Sequence, residues 1–257
     1  YVLLRKKKHF NKKKFIIPFF FISIFFISFL VFKTHDDFPY YHFAYSYYLT
    51  QNSLFIGIGP FNHGFRTPSS IFYMNSLFYL PFIKHYMFHI SAAMIMIFAN
   101  LILIEKIFNK IKYKQITFLT FFSLLSFLFI NIFFYRLAEH GTDRSAQILI
   151  LILLIEILFL TNFSKNIQND INKIFVIIGL VISLKAFYIL YLLLLIPVIY
   201  FIIKIKKFHY LFSLYKNKIF IFLFSIVSLI LLTNFFNTGC VVYPVASTCF
   251  ENIIWSF

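Results

Sequence analysis

Residues 174–203 form a run of 30 positions broken by a single charged side chain, Lys185. A soluble fold has no way to bury such a run on all sides in a chain of 257 residues. About 20 apolar residues in one helix cross the ~30 Å hydrocarbon core of a bilayer. Further apolar runs occupy 15–32, 86–104, 116–134, 146–163 and 219–236. Only 12% of the residues are charged and 61% are hydrophobic, whereas a soluble domain carries about 25% charged residues. Too little polar surface remains for a soluble enzyme, a disordered tail or a disulfide-dense secreted module. The expected fold class is therefore all-α and polytopic, with the lipid bilayer as the first partner.

Orientation follows from the basic residues. Residues 1–14 hold seven of them, ahead of the first apolar run. After that run comes Lys33-Thr34-His35-Asp36-Asp37, without a small-x-small cleavage site, so 15–32 reads as an uncleaved anchor rather than a signal peptide. Basic residues flank 174–203 on both sides, and the positive-inside rule puts both flanks in the cytoplasm. The run is then expected to cross as a hairpin turning near Lys185. Two legs of about 14 residues would each reach only about 21 Å. The expected topology has about seven crossings, a cytoplasmic N-terminus, an outside loop 33–85, further spans through 86–236 and an outside segment 237–257. One polytopic domain covers 1–257, read as the N-terminal part of a longer chain. The net charge of +16 would ordinarily suggest nucleic acid. Here 18 of the 24 basic residues fall in 1–14, 105–114, 164–173 and 204–218. The charge is an orientation signal, and no nucleic-acid partner is expected. No Gly-rich phosphate loop, zinc-ligand spacing or internal repeat occurs in the sequence.

The first outside loop carries the densest chemistry. It opens His35-Asp36-Asp37-Phe38-Pro39-Tyr40-Tyr41. Adjacent carboxylates at a membrane surface need solvent, a partner or a metal, and one of them is suited to act as a general base. The structural alternative is a helix start, with Asp37 as N-cap ahead of Phe38-Pro39. Residues 39–49 form an aromatic stretch expected to lie along the interface, and 57–68 are turn-rich. Arg66, beside His63, would hold a phosphate or anchor at the interface.

The second outside loop, Arg136 to Arg144, sets Arg136, Glu139, His140, Asp143 and Arg144 between two apolar spans. It reads either as a salt-bridged turn or as a second wall of the same site. Glu156 is expected near mid-membrane, within reach of Lys185; His89 and Asn100 read as helix–helix hydrogen bonders. Cys240 and Cys249 are the chain's two cysteines and both lie outside, where a disulfide or two unpaired small hydrophobes would fit.

An acidic pair after the first span, an interfacial helix with Tyr40, Tyr41, Ala44 and Leu49, then Pro68 and Tyr73, together resemble the GT-C glycosyltransferases. Gly239, Tyr243-Pro244 and Trp255-Ser256 resemble poorly characterised bacterial GT-C-like membrane proteins. The resemblance implies a bacterial inner-membrane enzyme that transfers sugar from a lipid-phosphate donor to an acceptor outside. It implies Asp36 and Asp37 as base or as ligands of a divalent metal. It implies substrate contacts from His35, Tyr40, Tyr41, His63, Arg66, Arg136, Glu139, His140, Asp143, Arg144 and Lys185. The chain departs from the family in being short and in lacking a large outside domain. A transporter or flippase, a lipid-linked polymer ligase or polymerase, and a non-enzymatic scaffold are the other readings.

Overall fold

The computed structural model describes residues 18–19, 22–23, 37–112, 116–134, 141–163, 166–212, 216–250 and 252–256. It divides into two compact units, Tyr1–Lys33 and Thr34–Phe257. In the first, residues 18–19 and 22–23 are helical. Ser23 Oγ there donates to the Phe19 carbonyl at 2.8 Å. The rest of the expected first span, and His35 and Asp36, lie outside the described residues.

The second unit is helical, with no strand among its described residues. A π-helical turn, Phe38–His42, runs straight into α1 (Phe43–Gln51), and α2 is Ser70–Leu77. Then come α3 (Ile90–Lys112), α4 (Phe118–Phe133), α5 (Thr142–Phe163) and α6 (Ile167–Leu184). A 3-10 segment, Ala186–Leu195, leads into α7 (Ile196–Lys204), and α8 is Lys218–Thr238. Among the described residues, five helical stretches are long and apolar enough to cross a membrane: His85–Asn109, α5, α6, Ala186–Lys204 and α8. Helix α4 is apolar too but has 16 residues, about 24 Å of helix.

The break in the long apolar run falls at Lys185, whose backbone is extended at φ −156° and ψ 139°. The chain folds back there, so that Val198 and Ile202 join Ile171, Ile174 and Phe175 in one buried cluster. Both legs exceed the length expected from the apolar run alone. Helix α6 starts seven residues earlier, at Ile167, because the Asn166 side chain accepts the Asn169 N–H and caps a polar first turn. Its 18 residues give about 27 Å. The other leg gains length by stretching, because a 3-10 segment rises about 2.0 Å per residue and brings Ala186–Lys204 to about 33 Å. Pro197 cannot donate a helical N–H to Leu193, and the α-helix is established only from Ile196 onward.

Helices α5 and α6 form the centre. Half or more of each apolar window is buried, against 17% for Ala186–Lys204 and for α8. The last two therefore turn most of their surface to lipid. The amides of Asn100 and Asn131 pair reciprocally between α3 and α4, at 2.8 and 3.3 Å, as expected of Asn100.

Chain reversals give the bundle two polar ends. One end carries 37–89, the start of α5, Lys185 and the segment after α8. There Tyr45, 1% exposed, accepts a hydrogen bond from Asn237 Nδ2 at 2.8 Å, and Gly57 N–H donates to the Phe236 carbonyl at 2.8 Å. These bonds fasten the first loop to the last helix. The opposite end carries Lys106, Asp170 and Lys173, with Asn217 donating to Asn172 at 2.7 Å.

Burial raises the phenols of Tyr45 and Tyr73 above their ordinary value of 10.0. A raised pKa means the folded state holds its proton more tightly. The stability is then complete below about pH 10 and is lost as pH rises beyond it. Melting temperature in detergent is expected to fall more steeply between pH 9 and 11 in the native protein than in a Tyr45→Phe/Tyr73→Phe variant. Parallel falls in the two proteins would contradict this.

Candidate functional site

The loop-bearing end holds a cavity of about 430 Å³, walled by Thr67, Asp143, Gln147, Lys185, Tyr188 and Tyr243 among others. Asp143 is its hub. The carboxylate stands in the first turn of α5, where the helix's free N–H groups favour negative charge. This corrects the sequence expectation: Asp143 and Arg144 are helical and do not belong to a loop, because the helix begins at Thr142. Lys185 Nζ lies 2.5 Å from Asp143 Oδ1, and Tyr188 OH donates to the same oxygen at 2.6 Å. Tyr188 follows the helix break by three residues, and its N–H donates to the Lys185 carbonyl at 3.0 Å. The break at Lys185 thus delivers both partners to one carboxylate.

From the first loop, Thr67 lines the cavity, and residues further back in that loop lie near Asp143. Tyr41 sits within electrostatic reach of both Asp37 and Asp143; burial first, and these two charges after it, raise its phenol well above the ordinary value. His42 is buried, its ring centred 4.3 Å from that of Tyr41. Asp37 occupies the N-cap position, with Pro39 in the first turn, yet its side chain makes no cap hydrogen bond. Asn62 fixes the turn against this helix: its Oδ1 accepts the Gly64 N–H at 2.8 Å and its Nδ2 donates to the Tyr40 carbonyl at 3.3 Å. A Cβ at Gly64 would lie 2.1 Å from Tyr41 Cγ, so only glycine lets the turn approach the ring.

The remaining expected residues are dispersed. Arg66 Nε donates to the Gly59 carbonyl at 3.4 Å, while Tyr40 and His63 are exposed. Arg144 lies 5.2 Å above the Phe134 ring and donates to Gln147 at 3.2 Å, at the cavity's edge. Arg136, Glu139 and His140 lie outside the described residues. The expected Glu156–Lys185 pair does not form. Helix α5 begins earlier than the apolar run, which places Glu156 about 20 Å from Asp143 along the axis. Its partner is Lys106, at 2.8 Å.

Cys240 and Cys249, nine positions apart, are joined by a disulfide, and the loop between them holds Tyr243 and Pro244 against the cavity. Asn234 on α8 donates to the Cys240 and Val241 carbonyls at 2.9 and 3.2 Å. Gly239 ends that helix at φ 77°, and a Cβ there would lie 2.8 Å from Ser256.

The model of a domain of unknown function, DUF8201, matches residues 2–257. The chain belongs to the DUF8201 family. No curated protein and no solved structure matches it.

Sequence reasoning passed over Tyr188, Gln147, Asn62 and Asn234 in this DUF8201 chain. Two asparagines in the otherwise apolar run of α8 were the available signal, since a buried amide in a membrane helix needs a partner. Among the described residues no group of three or more His, Cys, Asp or Glu gathers as metal ligands. For the disulfide, a maleimide added to the denatured, unreduced protein is expected to label neither cysteine. Both should react after reduction, and labelling without reductant would contradict the link.

Proposed function

We infer that the chain is a membrane-embedded glycosyltransferase of GT-C-like character, acting at the loop-bearing end on a sugar linked to a lipid phosphate. That end faces away from the cytoplasm, in a bacterial inner membrane. The observation that carries this reading is the cavity where Asp143, Lys185 and Tyr188 meet, with Tyr41 of the first loop in electrostatic reach of both Asp143 and Asp37. It offers a cation, carboxylates and hydroxyls beside helices that lipid surrounds, which is the combination a phosphate-linked sugar on a lipid tail requires.

In this reading the acceptor hydroxyl loses its proton to the Asp37 carboxylate, assisted by Asp36. Its oxygen bonds to the anomeric carbon as the bond from that carbon to the phosphate oxygen breaks. The leaving phosphate takes the bonding electrons and is met by the Lys185 ammonium, which exchanges Asp143 for it. Tyr188 and Tyr41 present hydroxyls to the sugar. Arg144, at the cavity's edge beside Gln147, receives the approaching phosphate.

The transporter reading has less support. Buried leucines and isoleucines, among them Leu149, Ile152 and Leu153 on α5 and Ile178 and Ile182 on α6, separate the two polar ends.

The test is transfer from a radiolabelled polyprenyl-phosphate hexose to acceptors in membranes. Asp37→Asn is expected to lower turnover by about 10²–10⁴-fold with insertion and melting unchanged; Lys185→Met is expected to lower turnover per inserted molecule by about 10²–10³-fold and, by leaving Asp143 without its cation, to lower the melting temperature as well. Full transfer by both inserted variants would overturn the assignment.

A further inference from the structure

A second and larger cavity, about 600 Å³, opens at the opposite end of the same helices. Its walls come from α3, α4, α5 and α6. Lys106 on α3 places its ammonium 2.8 Å from Glu156 Oε1 and 4.5 Å from the centre of the Phe159 ring. Glu156 is 4% exposed, and its other oxygen, Oε2, is buried without a hydrogen-bond partner. A carboxylate oxygen left unbonded in a buried ion pair is costly. Glu156 is one of the residues that wall this cavity, which is far larger than one water needs. The second cation there, Lys173, bonds Asp170 at 2.9 Å and keeps nearly half of its side chain exposed, at 47%. The remaining lining is mostly apolar, with Ile102, Leu119 and Val176 beside the carboxamides of Asn109 and Asn172.

We propose that this cavity binds a headgroup carrying a primary ammonium next to a phosphate, as an aminophospholipid does. The ammonium donates N–H to Glu156 Oε2, the atom that lacks a protein donor. The phosphate lies between Lys106 and Lys173. The apolar lining receives the glycerol and the first methylenes, and the surrounding helices stand where acyl chains would lie. A quaternary ammonium has no N–H and leaves Oε2 unbonded; an anionic headgroup without an amine brings no cation to Glu156 and adds negative charge beside it and Glu105, which also lines the cavity. The site is separate from the Asp143–Lys185 cavity and does not depend on the sugar-transfer reading.

The test reconstitutes the full chain with equimolar phosphatidylethanolamine, phosphatidylcholine and phosphatidylglycerol and counts the lipids retained, by native mass spectrometry after detergent washing. Phosphatidylethanolamine is expected to be retained about tenfold over phosphatidylcholine, the factor for one charge-assisted hydrogen bond. Glu156→Gln should bring that ratio close to one. A series on the native protein needs no variant: N-methyl and N,N-dimethyl phosphatidylethanolamine should be retained progressively less. Free phosphoethanolamine carries the same headgroup. Saturable binding of it with no lipid retained would identify the soluble source, and lipid retention would identify the bilayer. Equal retention of ethanolamine and choline lipids, as in a cavity holding only water, would overturn the proposal. So would a preference for phosphatidylglycerol, or a preference unchanged in Glu156→Gln.

Discussion

Lys185 is the residue at which a 30-residue apolar run stops being helical, and its ammonium determines where that happens. A lone cation in hydrocarbon costs several kcal/mol or more, so the chain must bring it to an end of the bundle and give it a partner. Asp143, in the first turn of α5, is that partner. Once the pair forms, α6 and the stretched leg Ala186–Lys204 fold back on each other. Tyr188 then reaches the same carboxylate, and the polar cavity acquires its floor.

The same constraint divides the rest of the molecule. Between Asp143 and Glu156 the buried positions of α5 are mostly apolar, and α6 matches them with Ile174, Ile178 and Ile182. Charged side chains gather at the two ends, where water or headgroups can share them, while the Asn100–Asn131 amides satisfy each other between them. Among the described residues, Lys185–Asp143 ties the helix break to α5 at one end and Lys106–Glu156 ties α3 to α5 at the other. The loop-bearing end adds a scaffold of amides: Asn62 under Tyr40, Asn234 under the disulfide loop and Asn237 on Tyr45. These hold an aromatic loop in one place above the bundle.

Much of this architecture was legible in the sequence. The positions of the apolar runs, the hairpin with its turn at Lys185, and the hydrogen-bonding role of Asn100 all follow from hydropathy and the cost of unpaired polar groups. Helix starts were not legible. Asn166 and Thr142 open α6 and α5 within polar stretches that read as loops, and the shift of Thr142 moved Glu156 away from Lys185. Which acid meets which cation depends on that axial offset, and hydropathy does not encode it. Tyr188 and Asn62 were missed because a tyrosine in an apolar segment and an asparagine in a turn both have ordinary explanations until the helix break and the Gly64–Tyr41 approach are seen.

The two polar cavities occupy opposite ends of one membrane-spanning bundle, and side-specific labelling distinguishes those ends. In a chain with Cys240 and Cys249 replaced by serine, single cysteines are placed by Phe61→Cys in the first loop and by Asn109→Cys at the Glu156 cavity. Intact cells are treated with a membrane-impermeant maleimide. The cysteine at 61 should be labelled from outside, and the one at 109 only after permeabilisation. Labelling of both from the same side would contradict the account.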